Sequence, residues 1–244
     1  MEAARTIRDS VQQVARLREL AAADPRLHAA LLAVKRLQSR RFSGTYADLL
    51  QGGTFAAAAG FFLEELYGDR DYSDRDAQFA RIAGAIDRFF PAQVARTAAD
   101  LAALHALTED LDLAMAREWL RIDGSDVHRY AAAWKAIDRA VDRERQLGSV
   151  VELGRELARL TRAPGLRTML RMMRGAAGAA GLGELQRFLE TGFDTFAAMA
   201  RQRGAVEAFL STVEEREGAL LRALGSGDPV AAETELARIL GQAP

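Results

Sequence analysis

The stretch PAQVARTAADLAALHALTEDLDLAMAREWLRID, residues 91–123, decides the fold class. Its apolar residues Leu101, Leu104 and Leu111 recur with the 3.6-residue period of an amphipathic helix. The turn-forming run 123–125, Asp-Gly-Ser, interrupts that pattern. The stretch therefore predicts one long helix that ends near residue 122.

The rest of the chain carries the same helical signals. Ala, Leu, Arg and Glu are strong helix formers and dominate the composition, while proline occurs five times and no run alternates apolar and polar residues for long. Asp24-Pro25 and Asp228-Pro229 are each typical of an N-cap followed by proline at the first helical position. These signals predict an all-α protein, a compact bundle of about eleven helices, with helices at 126–147 and 149–162 among them.

The 244 residues fit one large domain or two small ones. The break at residues 123–125 is the best boundary between two helical lobes, and it is too short for a flexible linker. We predict an N-terminal lobe at 1–122 and a C-terminal lobe at 123–244, which could equally form one continuous domain.

Charge and cysteine content exclude several classes of site. The formal net charge is −1, so the chain as a whole gives no electrostatic reason to bind nucleic acid. Without cysteine there are no disulfides, thiolate metal sites or cysteine nucleophiles.

The first ten residues lack the apolar core of a signal peptide, and the longest uncharged apolar segment, residues 55–63, is too short to span a membrane. A cytoplasmic bacterial protein is expected.

The segment GDRDYSDRD, residues 68–76, contains four aspartates. An EF-hand loop would need glycine at its sixth position and glutamate at its twelfth, and here those positions hold Asp74 and Ala80. Calcium binding of that type is therefore excluded. We expect Asp71, Ser73, Asp74 and Asp76 to cap the helix that follows.

A histidine and two carboxylates share one face of the long helix. His105, Glu109 and Asp112 are spaced by four and three residues, so their side chains project together. Imidazole and carboxylates can hold a transition metal in a helical bundle. The chain contains no Glu-x-x-His pair and no zinc-protease motif, and a hydrogen-bonding histidine is the alternative.

A second candidate site consists of arginines followed by glycines. Arg167, Arg171 and Arg174 fall on one helical face, and the glycine-rich GAAGAAGLG after them could expose backbone N–H groups. Arginine beside such a turn is suited to phosphate, although the Walker signature is missing. The alternative is that the small residues let helices pack closely.

Aromatic residues concentrate between residues 42 and 90. With the acids and arginines among them they predict a surface for a protein partner or a small ligand, formed by Phe61, Phe62, Glu65, Tyr67, Arg70, Tyr72, Arg75 and Asp76. Together with methionines they could instead line an apolar cavity for a lipid or haem, with His28, His105 or His128 as an axial ligand. Solid core is the third interpretation. The cofactor remains undefined by the sequence.

Two stretches carry a family resemblance. RRFSGTYADLLQGGTFAAAAGFFLEELYGDRDYSDRDAQFARI and LAALHALTEDLDLAMA resemble an uncharacterised family of helical bacterial proteins with FFLxELYG, RDxxF and LHALxExLD segments. LRMMRGAAGAAGLGELQRFLETGFDTFAAM is similar to its C-terminal part. The resemblance implies an all-helical bacterial protein and implies no reaction or cofactor.

These observations favour a cytoplasmic, non-enzymatic binding or regulatory module that uses a helical groove or an apolar pocket. One alternative is a metal-dependent helical-bundle enzyme using His105 and Glu109. The other is a sensor of phosphate, nucleotide or another anion using Arg167, Arg171 and Arg174.

Overall fold

The computed structural model describes residues 2–65 and 72–243, and within these ranges all regular secondary structure is helical. The prediction of an all-α fold is confirmed. No helix in the described part is long and apolar enough to cross a membrane. The described helices are α1 (Glu2–Ala22), α2 (Pro25–Thr45), α3 (Ala47–Leu50), α4 (Ala56–Glu65), α5 (Ser73–Phe89), α6 (Ala92–Trp119), α7 (Asp126–Ile137), α8 (Ala140–Leu160), α9 (Leu166–Met172), α10 (Arg174–Ala179), α11 (Gly183–Met199), α12 (Ala205–Gly225) and α13 (Pro229–Leu240).

The caps predicted at the two Asp-Pro pairs are confirmed. The Asp24 carboxylate accepts a hydrogen bond from the backbone N–H of Arg26 at 2.9 Å, at the start of α2. The Asp228 carboxylate accepts hydrogen bonds from the backbone N–H groups of Val230 and Ala231 at the start of α13. These carboxylates satisfy backbone N–H groups that have no partner within the helix.

The predicted break at Gly148 is wrong. That glycine lies inside α8, and the chain turns instead between α7 and α8, where Asp138 adopts the left-handed conformation with φ of 47°. Aspartate tolerates this conformation better than most residues, and its backbone N–H closes the end of α7 on the carbonyl of Lys135. The two helices are therefore 126–137 and 140–160.

The glycine-rich segment is more helical than its composition suggested. Residues 174–179 form α10, so their N–H groups belong to a helix rather than to an open turn. The left-handed turn comes later, at Gly181, where φ is 67°. The prediction that the whole segment is an exposed glycine-rich turn is therefore wrong for residues 174–179.

The chain divides into two compact units, each built from three segments. Unit 1 contains residues 1–15, 70–106 and 149–210, and unit 2 contains residues 16–69, 107–148 and 211–244. Compactness does not measure independent folding, so the predicted lobes at 1–122 and 123–244 stay a prediction.

Unit 2 packs around α13. That helix contacts both α2 and α7, and α2 also contacts α3 and α4. The approach of α2 to α13 is close at Gly44, where an added Cβ would lie 2.0 Å from the carbonyl oxygen of Ile239. The core includes Val34, Leu113, Met115, Trp119, Tyr130 and Leu236.

Unit 1 packs α11 against α5, with α9 and α10 beside α11. Two polar contacts tie α5 to the start of α11: Gln78 accepts a hydrogen bond from the N–H of Leu185 at 3.0 Å, and Arg81 donates to the carbonyl of Gly181 at 2.8 Å. Apolar side chains of both helices are buried, including Phe79, Ile86, Phe188 and Phe196.

Candidate binding site in the polar core

Unit 2 contains an unusual number of buried charged and amide side chains. We call this set the polar core; its members are between 3% and 8% exposed and are Gln38, Arg41, Glu109, Asp112, Arg143 and Glu217. They come from α2, α6, α8 and α12. Ionisable groups are seldom buried unless they are paired, so each member must be accounted for by a partner.

Arg41 and Glu217 form a buried ion pair. Nη1 of Arg41 donates to both carboxylate oxygens of Glu217, at 2.6 and 2.8 Å. The hydroxyl of Tyr46 donates to the same carboxylate at 3.1 Å. The Glu217 charge is therefore compensated by a cation and a second donor inside the protein.

A second set of contacts joins α2 to α6. Lys35 donates to Glu109 at 2.6 Å, and Gln38 donates to Asp112 at 2.9 Å. Arg18 is a further cation near Glu109, at 4.0 Å. Glu109 thus has cationic partners, whereas the hydrogen-bond donor to Asp112 is a neutral amide.

Burial raises the pKa of Asp112, and the charges of Lys35 and Arg143 oppose that effect without overcoming it. Burial likewise raises the pKa of Tyr130 in the same unit. Both directions show that the charged forms are poorly solvated here. The polar core favours a proton on Asp112 more than water does.

We therefore expect Asp112→Asn to stabilise the protein relative to wild type, by an amount that grows with pH. The pKa of the Asp112 carboxyl is higher in the folded protein than in the unfolded chain. The stability contributed by this carboxyl is therefore complete below its unfolded pKa and is lost as pH rises through its folded pKa. Asparagine imitates the protonated form, so the advantage of the variant grows by about 1.4 kcal/mol for each unit by which the pKa is raised. Thermal unfolding from about pH 4 to pH 8 measures it.

Glu190→Gln provides a control of opposite sign. The hydrogen bond from Arg174 lowers the pKa of Glu190, so the wild-type advantage at this position is present above the unfolded pKa and is lost as pH falls through the folded pKa. The expectation for Asp112 is contradicted if the asparagine variant loses its advantage as pH rises.

Arg143 differs from the other buried cation of the polar core. It is 5% exposed, its Nη1 donates to the side-chain oxygen of Gln146 at 3.2 Å, and its guanidinium lies 4.4 Å from the centre of the Trp134 ring. Its Nε and Nη2 atoms are buried and have no hydrogen-bond partner among the described residues. Gln146 is itself held by Thr108, which accepts from its amide at 2.8 Å.

Those two nitrogens form one edge of the guanidinium. The N–H groups on this edge point in the same direction and can donate together to two oxygens of one acceptor. In Arg129 only Nε is buried without a partner, since its Nη2 donates to the carbonyl of Trp119 at 2.7 Å. A complete unused donor edge makes Arg143 the strongest candidate for contact with a ligand.

The three predicted metal ligands have separate partners. His105 Nε2 lies 2.9 Å from an oxygen of Asp76, in unit 1, while Glu109 and Asp112 bond to α2 as described above. Within residues 2–65 and 72–243, no group of three or more His, Asp or Glu side chains is placed to hold a metal ion. The metal site stays a prediction, and Asp76, which the sequence placed in the α5 cap, also contacts His105.

The predicted anion-binding arginines are largely engaged with acids. Arg167 bonds to Asp194 at 2.8 Å, and Arg174 bonds to both oxygens of Glu190, at 3.1 and 2.6 Å. Arg171 is exposed and contributes to the low pKa of Glu190 through its charge. An incoming anion would have to compete with these carboxylates, and anion binding here stays a prediction.

The predicted aromatic surface is partly buried. Phe61 and Phe62 are 9% and 3% exposed, and their rings meet edge to face with centres 6.4 Å apart. Glu65 is half-buried in unit 2. In their present positions the two phenylalanines are packing residues.

The remaining residues of that surface belong to unit 1 or are not described. The guanidinium of Arg75 lies over the ring of Tyr72 at 4.1 Å and over that of Phe188 at 4.6 Å. Tyr67 and Arg70 lie outside the described residues, as does Asp71 of the predicted cap. A partner surface in this region stays a prediction.

The histidines considered for haem have protein contacts or are exposed. His128 Nδ1 lies 2.8 Å from Glu233, in addition to the contact of His105 with Asp76. His28 is exposed on α2. These positions favour ordinary polar roles for all three.

Unit 1 also contains a surface cleft that the sequence did not indicate. It has a volume of about 500 Å³ and is lined by residues of α8, α12 and the turn before α12. Arg155 and Arg159 line it, but they bond to Glu207 and Glu152, each at 2.9 Å. Two of the three arginines that line the cleft are therefore already paired with acids, and the cleft selects no class of ligand.

Comparison with known proteins gives a family and no activity. A family model described as a domain of unknown function (DUF8198) matches residues 17–231. No curated protein and no solved structure matches the chain significantly. The predicted resemblance to an uncharacterised helical family is confirmed, while its bacterial origin stays a prediction.

Proposed function

The chain belongs to the family of the DUF8198 domain, and from this premise we propose that it is a non-enzymatic module that binds a small ligand in the polar core of unit 2. This proposal keeps the binding role expected from the sequence and moves the site from an apolar groove to buried polar groups. A regulatory role in the bacterial cytoplasm is retained from the sequence analysis as part of the proposal.

One observation carries the proposal: the buried Nε and Nη2 edge of Arg143 has no acceptor among the described residues. A buried donor without an acceptor costs about 1–3 kcal/mol, and more when the donor is charged. Proteins therefore fill such positions with side chains, ordered water or a bound molecule. A ligand that accepts from this edge would satisfy both donors at once.

The surroundings of Arg143 hold its guanidinium in one position. The Trp134 ring covers the guanidinium, and the Thr108–Gln146 contact fixes the side chain that bonds to Nη1. A guanidinium held in this way loses little further freedom when a ligand binds, which favours affinity. Binding sites commonly combine aromatic walls with a few oriented polar groups of this kind.

Native mass spectrometry of gently purified protein tests the proposal. We expect the wild-type chain to carry an additional small mass, and we expect Arg143→Lys to lose it, because lysine keeps the charge but lacks the paired donor edge. Arg145→Gln is the matched control, since Arg145 lies on the same helix but is 62% exposed and pairs with Asp142.

The control variant should retain the additional mass. A wild-type chain that carries no additional mass, or an adduct that Arg143→Lys retains, contradicts a ligand at Arg143.

A further inference from the structure

Resting on that proposed function, we propose that the ligand is a small oxyanion, a carboxylate in the first instance, held side-on by Nε and Nη2 of Arg143. The guanidinium edge presents two parallel N–H groups, and their spacing matches two oxygens of one carboxylate or phosphate. Both nitrogens are buried. Solvent does not reach this edge, so a group bound there would exchange its hydrogen bonds with water for hydrogen bonds to Arg143.

The ion pairs of the polar core leave one cation, Arg143, without a hydrogen-bonded acid among the described residues. The polar core contains two arginines, Arg41 and Arg143, and Lys35 lies beside it. Its three carboxylates are those of Glu109, Asp112 and Glu217. Glu109 bonds to Lys35, and Glu217 bonds to Arg41. The third carboxylate, Asp112, bonds to the amide of Gln38, so no acid among the described residues bonds to Arg143.

A cation buried without a hydrogen-bonded anion is costly, and an anionic ligand would remove that cost. A neutral molecule would satisfy the donors and leave the charge as it is. A cation would add repulsion. Among the classes of small ligand, an oxyanion meets both the hydrogen-bond and the charge requirement of this edge.

The planar surroundings favour a carboxylate over a tetrahedral oxyanion. The indole of Trp134 covers one face of the guanidinium, with the ring centre 4.4 Å from Cζ. Acceptors of the Nε and Nη2 hydrogens lie in the plane of the group, at its edge. A carboxylate can lie in that plane with both oxygens on the two N–H groups. Phosphate and sulfate can also accept two hydrogen bonds from this edge, but their remaining oxygens lie above and below the plane of the guanidinium.

Thermal unfolding at constant ionic strength tests the inference, with sodium formate, acetate, phosphate and sulfate as probes and sodium chloride as the reference. A ligand that binds only the folded chain raises its melting temperature, by roughly 5–10 °C at about one hundred times its dissociation constant. We expect this rise with formate or acetate for the wild type and for Arg145→Gln, and none for Arg143→Lys. A rise in melting temperature seen only with phosphate or sulfate supports an oxyanion ligand and shows that this oxyanion is not a carboxylate.

Arg143→Met is a second test of the inference, which applies even if Arg143→Lys does not fold. Methionine removes the buried charge together with its unused donors, so this variant should fold and show no response to any of the four anions. If none of the anions raises the wild-type melting temperature above that in chloride, or if Arg143→Met responds equally, the inference is overturned.

The proposed function can survive that failure. A neutral molecule found by mass spectrometry on the wild type, lost in Arg143→Lys and unaffected by anions, would preserve the binding module and overturn the oxyanion. A chain without additional mass that also ignores every anion would overturn both.

Discussion

Replacing Glu217 with alanine should lower the free energy of unfolding by about 3–5 kcal/mol, because it leaves the buried guanidinium of Arg41 without its carboxylate. The side chains of this pair are 5% and 10% exposed, so water cannot readily take the place of the missing group. The Tyr46 hydroxyl would also lose its acceptor. Urea unfolding of the wild type and the variant measures the difference.

An exposed ion pair supplies the control. Glu235 bonds to Arg238 through both oxygens, at 2.6 and 2.8 Å, and the two side chains are 36% and 54% exposed. Glu235→Ala should therefore cost no more than about 1 kcal/mol. Equal losses in the two variants would show that burial does not determine the strength of the Glu217 contact.

Gly44→Ala should produce the second large loss, about 1–3 kcal/mol or more, because α2 and α13 touch at this glycine. The new Cβ would lie 2.0 Å from the carbonyl oxygen of Ile239 and 2.9 Å from its carbonyl carbon. Both are backbone atoms, so a change of rotamer cannot relieve the contact and the helices would have to separate. Thermal unfolding monitored by circular dichroism measures the loss.

Gly148→Ala is the matched control for that substitution. Gly148 lies inside α8, and an added Cβ there meets nothing within 4 Å. Alanine is the better helix former, so this variant should gain about 0.5–1 kcal/mol. A Gly44→Ala variant as stable as Gly148→Ala would contradict the close approach of α2 to α13.

Signals confined to neighbouring residues predicted helix starts well. Asp24 and Asp228 cap their helices because the side chain reaches N–H groups two or three residues ahead, a contact that the local sequence specifies. The break between α7 and α8 was harder to predict from the sequence. Glycine is a typical stop signal, yet Gly148 lies within a helix, whereas Asp138, at which no stop was predicted, adopts the left-handed conformation.

The candidate site was only partly visible in the sequence. Helical spacing placed Glu109 and Asp112 on one face, but their partners on α2 are 74 residues away and no periodic pattern identifies such a pair. Arg143 and Glu217 were missed for the same reason. Metal binding was the chemistry that the spacing suggested, since it could not show that His105 bonds to Asp76 instead.

A usable signal was nonetheless present on α2. Leu31, Val34, Gln38 and Arg41 follow each other at spacings of three and four residues, so the apolar stripe of this helix continues into polar positions. Polar residues that continue a buried stripe predict buried polar contacts. All four side chains are in fact buried.

A crystal structure of protein purified without ligand exchange tests the central claim most directly, through the electron density at the Nε and Nη2 edge of Arg143. A small molecule bound in the polar core predicts continuous density with two oxygens facing the two nitrogens. Two separate water molecules at that edge would satisfy the donors equally well. That result would contradict a ligand in the polar core.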